Sequence, residues 1–379
     1  MRIYSQQNVF DAALDRIRYL FNEFPNIIIG FSGGKDSTIV YNLAMIVAKE
    51  KNRLPLKVMF LDQEAEWQCV IDYIRIVMSN KDVEPLWFQM PLRLFNATSH
   101  TEDWLYCWEE GKDWIREKEK ISIKGNRYDC DRFVRLFAKI LEVDFKDKKT
   151  CYLSGVRCEE SPSRFMGLTY WATYKWITWG RVESKKLNHY AFYPIYDWSY
   201  TDVWKAIENN NWEYCKLYDY MYLYGVDICH MRVSNVHHET AIYSLFFLQE
   251  IEPDNWNKIV KRINGINTAG QLGEDEFFIK DLPYMFEGWE EYRNYLLENL
   301  ISEKHRDLFK RRFKQMEKHL ENSIGINDDD YKKIHVVQIG MIMTNDWNGT
   351  KQNNWRVTPK KTEKGRTIIK NRKHEWKIK

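Results

Sequence analysis

The chain has 379 residues, a formal net charge of +3, 44% hydrophobic and 29% charged residues. That length suffices for a substantial core and points to two domains, or one large domain with an appendage. The sequence contains no apolar run of about 18 residues and no signal-peptide pattern at its amino terminus. A membrane-spanning helix is thereby excluded, and a soluble, cytoplasmic protein with no membrane partner is expected. Aromatic residues reach 15%, with 16 tryptophans, and such rings serve either core packing or stacking on bases.

The first informative element is Asn26 to Val40, NIIIGFSGGKDSTIV. Ile27, Ile28 and Ile29 form a β-branched run suited to a strand buried on both faces of a parallel sheet. From Ser37 the spacing of Ile39, Val40, Leu43 and Ala44 becomes helical. The turn between them therefore lies at the carboxyl end of a strand, where open α/β sheets bind ligands. Gly33 and Gly34 permit close approach of an anion, and the helix start adds unpaired N–H groups and partial positive charge. A Walker A loop fails here, because its first glycine and its post-lysine hydroxyl positions hold Ile29 and Asp36. Ser32 to Ser37 instead match, without a gap, the SGGxDS hallmark, and the loop resembles the pyrophosphate loop (PP-loop) of the adenine nucleotide α-hydrolase superfamily.

Strand and helix patterns then alternate. Leu56 to Leu61 reads as a second strand, ending at Asp62 and followed by helical spacing at Ala65, Cys69, Tyr73 and Ile76. An acid at that position coordinates magnesium, binds a ribose hydroxyl or caps a helix. A third strand is expected at Glu84 to Gln89. Thr98 to Asp147 reads as a helical insertion, with helix at Arg132 to Val143, that either covers a site or forms a solvated layer. The fourth strand, Thr150 to Gly155, runs into SGVRCEESPSR, where Arg157 and Arg164 supply fixed cations and Ser161-Pro162 interrupts the helix. This stretch resembles the GxRxxES-xx-R motif of the phosphoadenosine phosphosulfate reductase branch at Gly155, Arg157, Glu160, Ser161 and Arg164. Tyr193 to Ile207, YPIYDWSYTDVWKAI, is similar to that family's Pro-Ile-x-x-Trp-x-x-x-Asp-Val-Trp segment.

The resemblance implies an α/β fold: a doubly wound, five-stranded parallel sheet of order 3-2-1-4-5, followed here by a helical C-terminal region. It implies ATP or a related adenine nucleotide as ligand, bound by Ser32, Gly33, Gly34, Lys35, Asp36, Ser37, Asp62, Gly155, Arg157, Glu160, Ser161 and Arg164. Lys35, Asp36 and Arg157 are the expected catalytic residues, and Asp36 and Asp62 the expected magnesium ligands. The reaction implied is cleavage of the α-β bond with adenylylation of an acceptor, in nucleic-acid modification or sulfur transfer. True reductases of this family use a carboxyl-terminal ECGxH-type cysteine motif, and adenylylsulfate-specific relatives add cysteine pairs for an iron–sulfur cluster. Neither occurs here, so sulfonucleotide reduction is not expected.

The seven cysteines, at 69, 107, 130, 151, 158, 215 and 229, form no CxxC pair. No disulfide framework, iron–sulfur cluster or zinc site is expected from them, Cys229-His230 with His237-His238 being their one local Cys/His concentration. Cys130, between opposed charges in RYDCDRF, is a weak nucleophile candidate, and a thiolation pair with Cys151, Cys158 or Cys229 has no support from spacing.

Domain bounds are expected at 1–215 for the nucleotide-binding domain with its insertion at about 98–147, 216–345 for a helical domain, and 346–379 for a basic tail. The region from Leu217 to about Asn267 resembles the immunoglobulin-binding-regulator-type subgroup, which implies a ParB-like, sulfiredoxin-fold partner and a role in gene regulation or DNA modification. Read from its own residues, it is helical and aromatic, with Trp256, Ile259, Val260 and Ile263 on one face. A further helical region is expected over Glu287 to Asn322, then a less regular tail. Residues 351–379 hold 11 Lys or Arg against 2 Asp or Glu, a local charge of +9. DNA or RNA is the expected partner of such a tail, with Trp355 and Trp376 placed to stack, and a solvated tail is its alternative. The competing function is a non-catalytic, nucleotide-sensing regulator acting on DNA.

Overall fold

The structure, a computed structural model, describes residues 6–170, 172–228, 231–233, 236, 242–271, 281–322, 328–349, 351–352 and 355. They fall into two compact units, one of residues 1–94, 105–236 and 247–262, the other of 95–104, 237–246 and 263–379.

In the first unit, α1 (Val9–Glu23) starts at Asn8, whose side chain accepts from the Asp11 amide at 2.9 Å. Its inner face carries Ala13, Leu14, Ile17, Leu20 and Phe21. The strand β1 (Asn26–Gly30) is buried along its whole length, as its unbroken apolar run requires. There follow α2 (Lys35–Glu50), β2 (Leu56–Leu61), α3 (Gln68–Met78), β3 (Val83–Phe88) and a ribbon of β4 (Leu92–Phe95) and β5 (Trp104–Cys107). Then come α4 (Phe133–Asp144), β6 (Thr150–Leu153), a 3-10 turn at Cys158–Glu160, α5 (Pro162–Thr169), β7 (Gly180–Ser184) and β8 (His189–Phe192). The helices α6 (Tyr200–Asn209), α7 (Leu217–Leu223), α8 (Ile242–Ile251) and α9 (Pro253–Arg262) complete this stretch.

The central sheet has six strands in the order β3-β2-β1-β6-β8-β7. The five expected parallel strands, in order 3-2-1-4-5, are thus corrected to a mixed sheet of six. Neighbours from β3 through β8 pair in parallel, and β7 adds antiparallel to β8 at the edge. The sequence GRVES is polar because only an edge place is asked of it, so a search for apolar runs passes it over. The order reverses direction at β1, with β2 on one side and β6 on the other. Open α/β sheets bind ligands at such a switch point, beyond the carboxyl ends of the strands.

The 98–147 segment is not the helical insertion expected. Among its described residues only α4 is α-helical, and residues 108–132 are turns and irregular chain. Its backbone is instead tied to neighbours, as where the Gln89 amide donates to the Ile123 carbonyl at 3.0 Å and the Arg93 amide to that of Asp131 at 2.7 Å.

The second unit holds α10 (Ile266–Gln271), α11 (Trp289–Leu300), α12 (Glu303–Glu321) and α13 (Asp328–Met343). The helical region expected over 287–322 is two helices, parted at Ile301–Ser302, and α13 follows within the bounds 216–345 expected to be helical. Leu296, Leu297, Phe309, Phe313, Met316, Ile334 and Ile342 form the common core of α11, α12 and α13. Arg293 is buried in it, its guanidinium donating to Glu317 and Gln338 at 2.6 Å each. Trp355 is partly buried and packs against this cluster, whereas Trp376 and nearly all of the basic tail lie outside the described residues. No helix among the described residues is long and apolar enough to cross a membrane.

Candidate functional site

The turn after β1 is shaped by its glycines and hydroxyls. Gly33 adopts φ +75°, a left-handed conformation that glycine enters without strain, and Gly34 becomes the N-cap of α2. The Ser37 hydroxyl donates to the Gly34 carbonyl at 2.8 Å and accepts from the Ser32 amide at 3.3 Å. Thr38 adds a second bond to the Gly34 carbonyl at 3.0 Å. The first amides of α2 have no intrahelical acceptor; that of Lys35 is taken by the Tyr218 hydroxyl, and those that follow point out of the helix start, where an anion is favoured.

The charged residues gather around this turn. Asp36 accepts from Arg157 Nε at 2.6 Å and lies 3.2 Å from Lys35 Nζ, so one carboxylate positions two cations. Arg157 is buried, and its NH1 reaches Glu159 at 3.0 Å and the Trp198 carbonyl at 3.4 Å. The three sequence motifs therefore meet at one guanidinium, which comes from the loop after β6. That loop lies close against α2: a Cβ at Gly155 would sit 2.5 Å from the Asp36 carbonyl carbon and oxygen. Only glycine fits there without displacing backbone.

Other expected ligands have local duties. Ser161 caps α5 by accepting from the Arg164 amide at 3.2 Å, with Pro162 in the first turn, and Glu160 pairs with Arg164. The Arg164 guanidinium is half-exposed; burial, and then the nearby guanidinium of Arg232, pull its pKa below the ordinary arginine value.

Asp62 is placed otherwise. It is wholly buried at the end of β2, where one carboxylate oxygen accepts from Trp87 Nε1 at 2.8 Å and Gln89 Nε2 at 3.0 Å. Its other oxygen accepts from the Glu64 amide at 2.9 Å and from Arg116. Glu64, at φ +63° and also wholly buried, takes the Trp108 amide at 2.6 Å and Arg262 Nε at 2.9 Å. Glu66 lies alongside, and burial, followed by the Asp62 charge, pushes its carboxyl up to about 8. The oxygens of Asp62 are thus committed to protein donors, while those of Asp36 face Arg157 and Lys35. Among the described residues, no group of three or more His, Cys, Asp or Glu side chains is arranged to hold a metal ion. The donor set does not fit the expected magnesium pair, and no chemistry is routed through it below.

Four thiols are held protonated by their surroundings. The neighbouring Cys215 thiol, and then burial, push Cys69 far up, and burial raises Cys107, Cys151 and Cys158. Cys130 Sγ lies 3.8 Å from the Arg132 carbonyl oxygen. Cys229, His230, His237 and His238 lie outside the described residues.

Sequence reasoning missed Tyr218 and Glu252. The Tyr218 hydroxyl accepts from the Lys35 amide at 3.1 Å, and its ring lies 5.4 Å from Lys35 Nζ. Burial and the Asp36 charge push this phenol up, keeping it neutral. Glu252 caps α3 through the Gln68 and Cys69 amides at 2.7 and 2.9 Å. Neither belongs to a motif, and each comes from more than 180 positions away.

The phosphoadenosine phosphosulfate reductase domain family matches residues 26–224, and a domain of unknown function (DUF3440) matches residues 225–374. The chain is 28% identical over 311 residues to the protein YbdN of Escherichia coli K12, covering 77% of this chain and 75% of that one. It is 28% identical over 189 residues to protein MJ0973 of Methanocaldococcus jannaschii, covering 50% and 37% respectively. Similar solved structures include Candida glabrata FMN adenylyltransferase with FMN and an ATP analogue, at 14% identity and TM-score 0.36 over 58% of this chain and 65% of that one. Another is the phosphoadenylyl-sulfate reductase of Candida auris in a phosphate complex, at 13% identity and TM-score 0.32 over 62% and 98%.

Proposed function

Because the chain belongs to the phosphoadenosine phosphosulfate reductase domain family, we propose that it binds ATP at the Ser32–Ser37 turn and cleaves the α-β bond to adenylylate an acceptor. One observation carries this reading: the pyrophosphate-type turn, Lys35 and Arg157 converge at the switch point between β1 and β6, with Asp36 holding both cations. An acceptor oxygen attacks the α-phosphorus, the bond to the bridging oxygen breaks, and its electron pair leaves with pyrophosphate while the acceptor's proton passes to solvent. The turn amides, Lys35 and Arg157 offset charge on the leaving group, and a cradle of that kind supplies most of the catalysis in such transfers. Asp36 positions the cations. Sulfonucleotide reduction is disfavoured by the missing ECGxH-type cysteine motif and by the raised thiols of Cys69, Cys107, Cys151 and Cys158.

The test is release of AMP-acceptor adduct and pyrophosphate from ATP, supplied as its magnesium complex, with candidate nucleic acids and small acceptors. Release is expected to depend on the acceptor and to be lost in Asp36→Ala. A second reading is favoured by the +9 charge of residues 351–379: a nucleotide-sensing regulator that acts on DNA, with a ParB-like partner of sulfiredoxin fold. ATP binding with no turnover under any acceptor, together with nucleotide-dependent DNA affinity, would select it.

A further inference from the structure

Three backbone donors of the turn are occupied, each by a neutral hydroxyl. The Ser32 amide donates to the Ser37 hydroxyl at 3.3 Å, the Gly34 amide to that of Ser32 at 3.4 Å, and the Lys35 amide to that of Tyr218 at 3.1 Å. All three are longer than the usual N–H···O length of about 2.9–3.0 Å, and a charged oxyanion accepts roughly twice as strongly as a neutral oxygen. A phosphate arriving at the turn therefore has to displace hydroxyls, not ions. Ser32 and Ser37 belong to the turn and yield by rotation about one side-chain bond. Tyr218 does not: it comes from α7, is 4% exposed, and its ring meets Trp204 edge to face with centroids 5.3 Å apart. A phenol oxygen lies on the axis of its ring, so a ring flip leaves it in place. It quits the Lys35 amide only if the packed side chain swings about its first torsion or α7 shifts. Val233 stands beside it, for a Cβ built on Gly34 would lie 2.8 Å from Val233 Cγ2 and 3.4 Å from the Tyr218 oxygen. Both covering side chains belong to the first unit, one just inside and one just beyond the residues 26–224 that the reductase family matches.

We infer that Tyr218 gates the turn: its hydroxyl stands on the Lys35 amide in the place of a phosphate oxygen, and a nucleotide's phosphate chain seats fully only when that hydroxyl is withdrawn. This rests on the nucleotide reading above and deepens it, by adding a regulation of the same site. The exchange gives up one neutral hydrogen bond and gains a charge-assisted one, so the empty turn is closed and the filled turn open.

Calorimetric titration of the full chain with inorganic pyrophosphate and with ATP tests the gate. Tyr218→Phe keeps the ring and removes the competing acceptor, so both ligands are expected to bind about threefold to tenfold more tightly than to the wild type. Weaker binding overturns the gate and assigns the hydroxyl to holding the ligand. A second readout needs no variant: with isotope-labelled lysine, the NMR signal of the Lys35 amide should shift when the wild type is saturated with pyrophosphate. Saturation that leaves this signal in place overturns the gate, even where Tyr218→Phe fails to fold. Two further outcomes separate the gate from the reading beneath it. Equal binding of ATP and pyrophosphate by both proteins removes the gate alone, whereas binding of neither ligand by either protein removes the nucleotide reading and the gate with it.

Discussion

Two charged clusters stand at the carboxyl ends of adjacent strands, and they are built to opposite purposes. After β1, Asp36 faces Lys35 and Arg157, while Glu159 pairs with Arg157 and Glu160 with the half-exposed Arg164. After β2, Asp62 and Glu64 are wholly buried, Glu66 nearly so, and Arg116 and Arg262 are spent on them. The first cluster lies at a helix start with Arg164 half-exposed; the second has its donors matched to acceptors inside the protein. A strand end in an open sheet is thus a place where a ligand site can be built, and the balance of donors left over decides whether one exists.

The largest expected effect separates the clusters by stability. Arg116→Ala leaves the Asp62 carboxylate buried without its cation, which costs about 3–5 kcal/mol, and a drop in melting temperature of several degrees checks it. Arg164→Gln, on the open side, is expected to leave the melting temperature of the free protein essentially unchanged. Equal losses in the two variants would erase the distinction.

Gly155→Ala comes next. The added Cβ must push the start of α2 or the β6 loop, at about 1–3 kcal/mol, and displace Asp36 and Arg157 from one another. ATP affinity should fall more than tenfold, by about 1.4 kcal/mol or more, read by calorimetry. A protein that binds ATP normally with alanine at 155 would show that the close approach of the two loops is not part of the site.

Glu66→Gln gives the most specific effect, because it shows only in the pH dependence. With its carboxyl at about 8 in the folded chain against an ordinary 4.5, the folded state binds more protons than the unfolded one between those values. Stability from this group is fully present below about pH 4.5 and is lost as pH rises through 8, with a slope of at most about 1.4 kcal/mol per pH unit. Urea unfolding across pH 5 to 9 should show a fall in the wild type that flattens in Glu66→Gln, and ATP affinity should not follow it. An identical pH profile in the two proteins would contradict the burial of an ionisable Glu66.

The open cluster was largely legible in the sequence and the closed one was not. Gly33, Gly34, Ser37 and Gly155 are short-range requirements of a turn and a close approach, and they leave a local signature that a motif captures. Arg157 was readable for the same reason. Asp62 was readable only as an acid at a strand end, because Trp87, Gln89 and Arg116, which close it off, arrive from 25 to 54 positions away. Glu64 adds a partner from 198 positions away in Arg262. Tyr218 was missed for a related reason: it meets the turn from beyond the three motifs. In the sheet, β1 and β2 announced themselves as buried runs, whereas β7 needed only to satisfy an edge and carried no such pattern.

The most direct measurement is a crystal structure of the full chain with a non-hydrolysable ATP analogue. The account predicts that the phosphate chain lies on the Ser32–Ser37 amides with Lys35 and Arg157 beside it, Arg164 at its outer end, and Asp62 still sealed by Arg116. Phosphates bound anywhere else, or an opened Asp62 cluster in contact with the nucleotide, would contradict it.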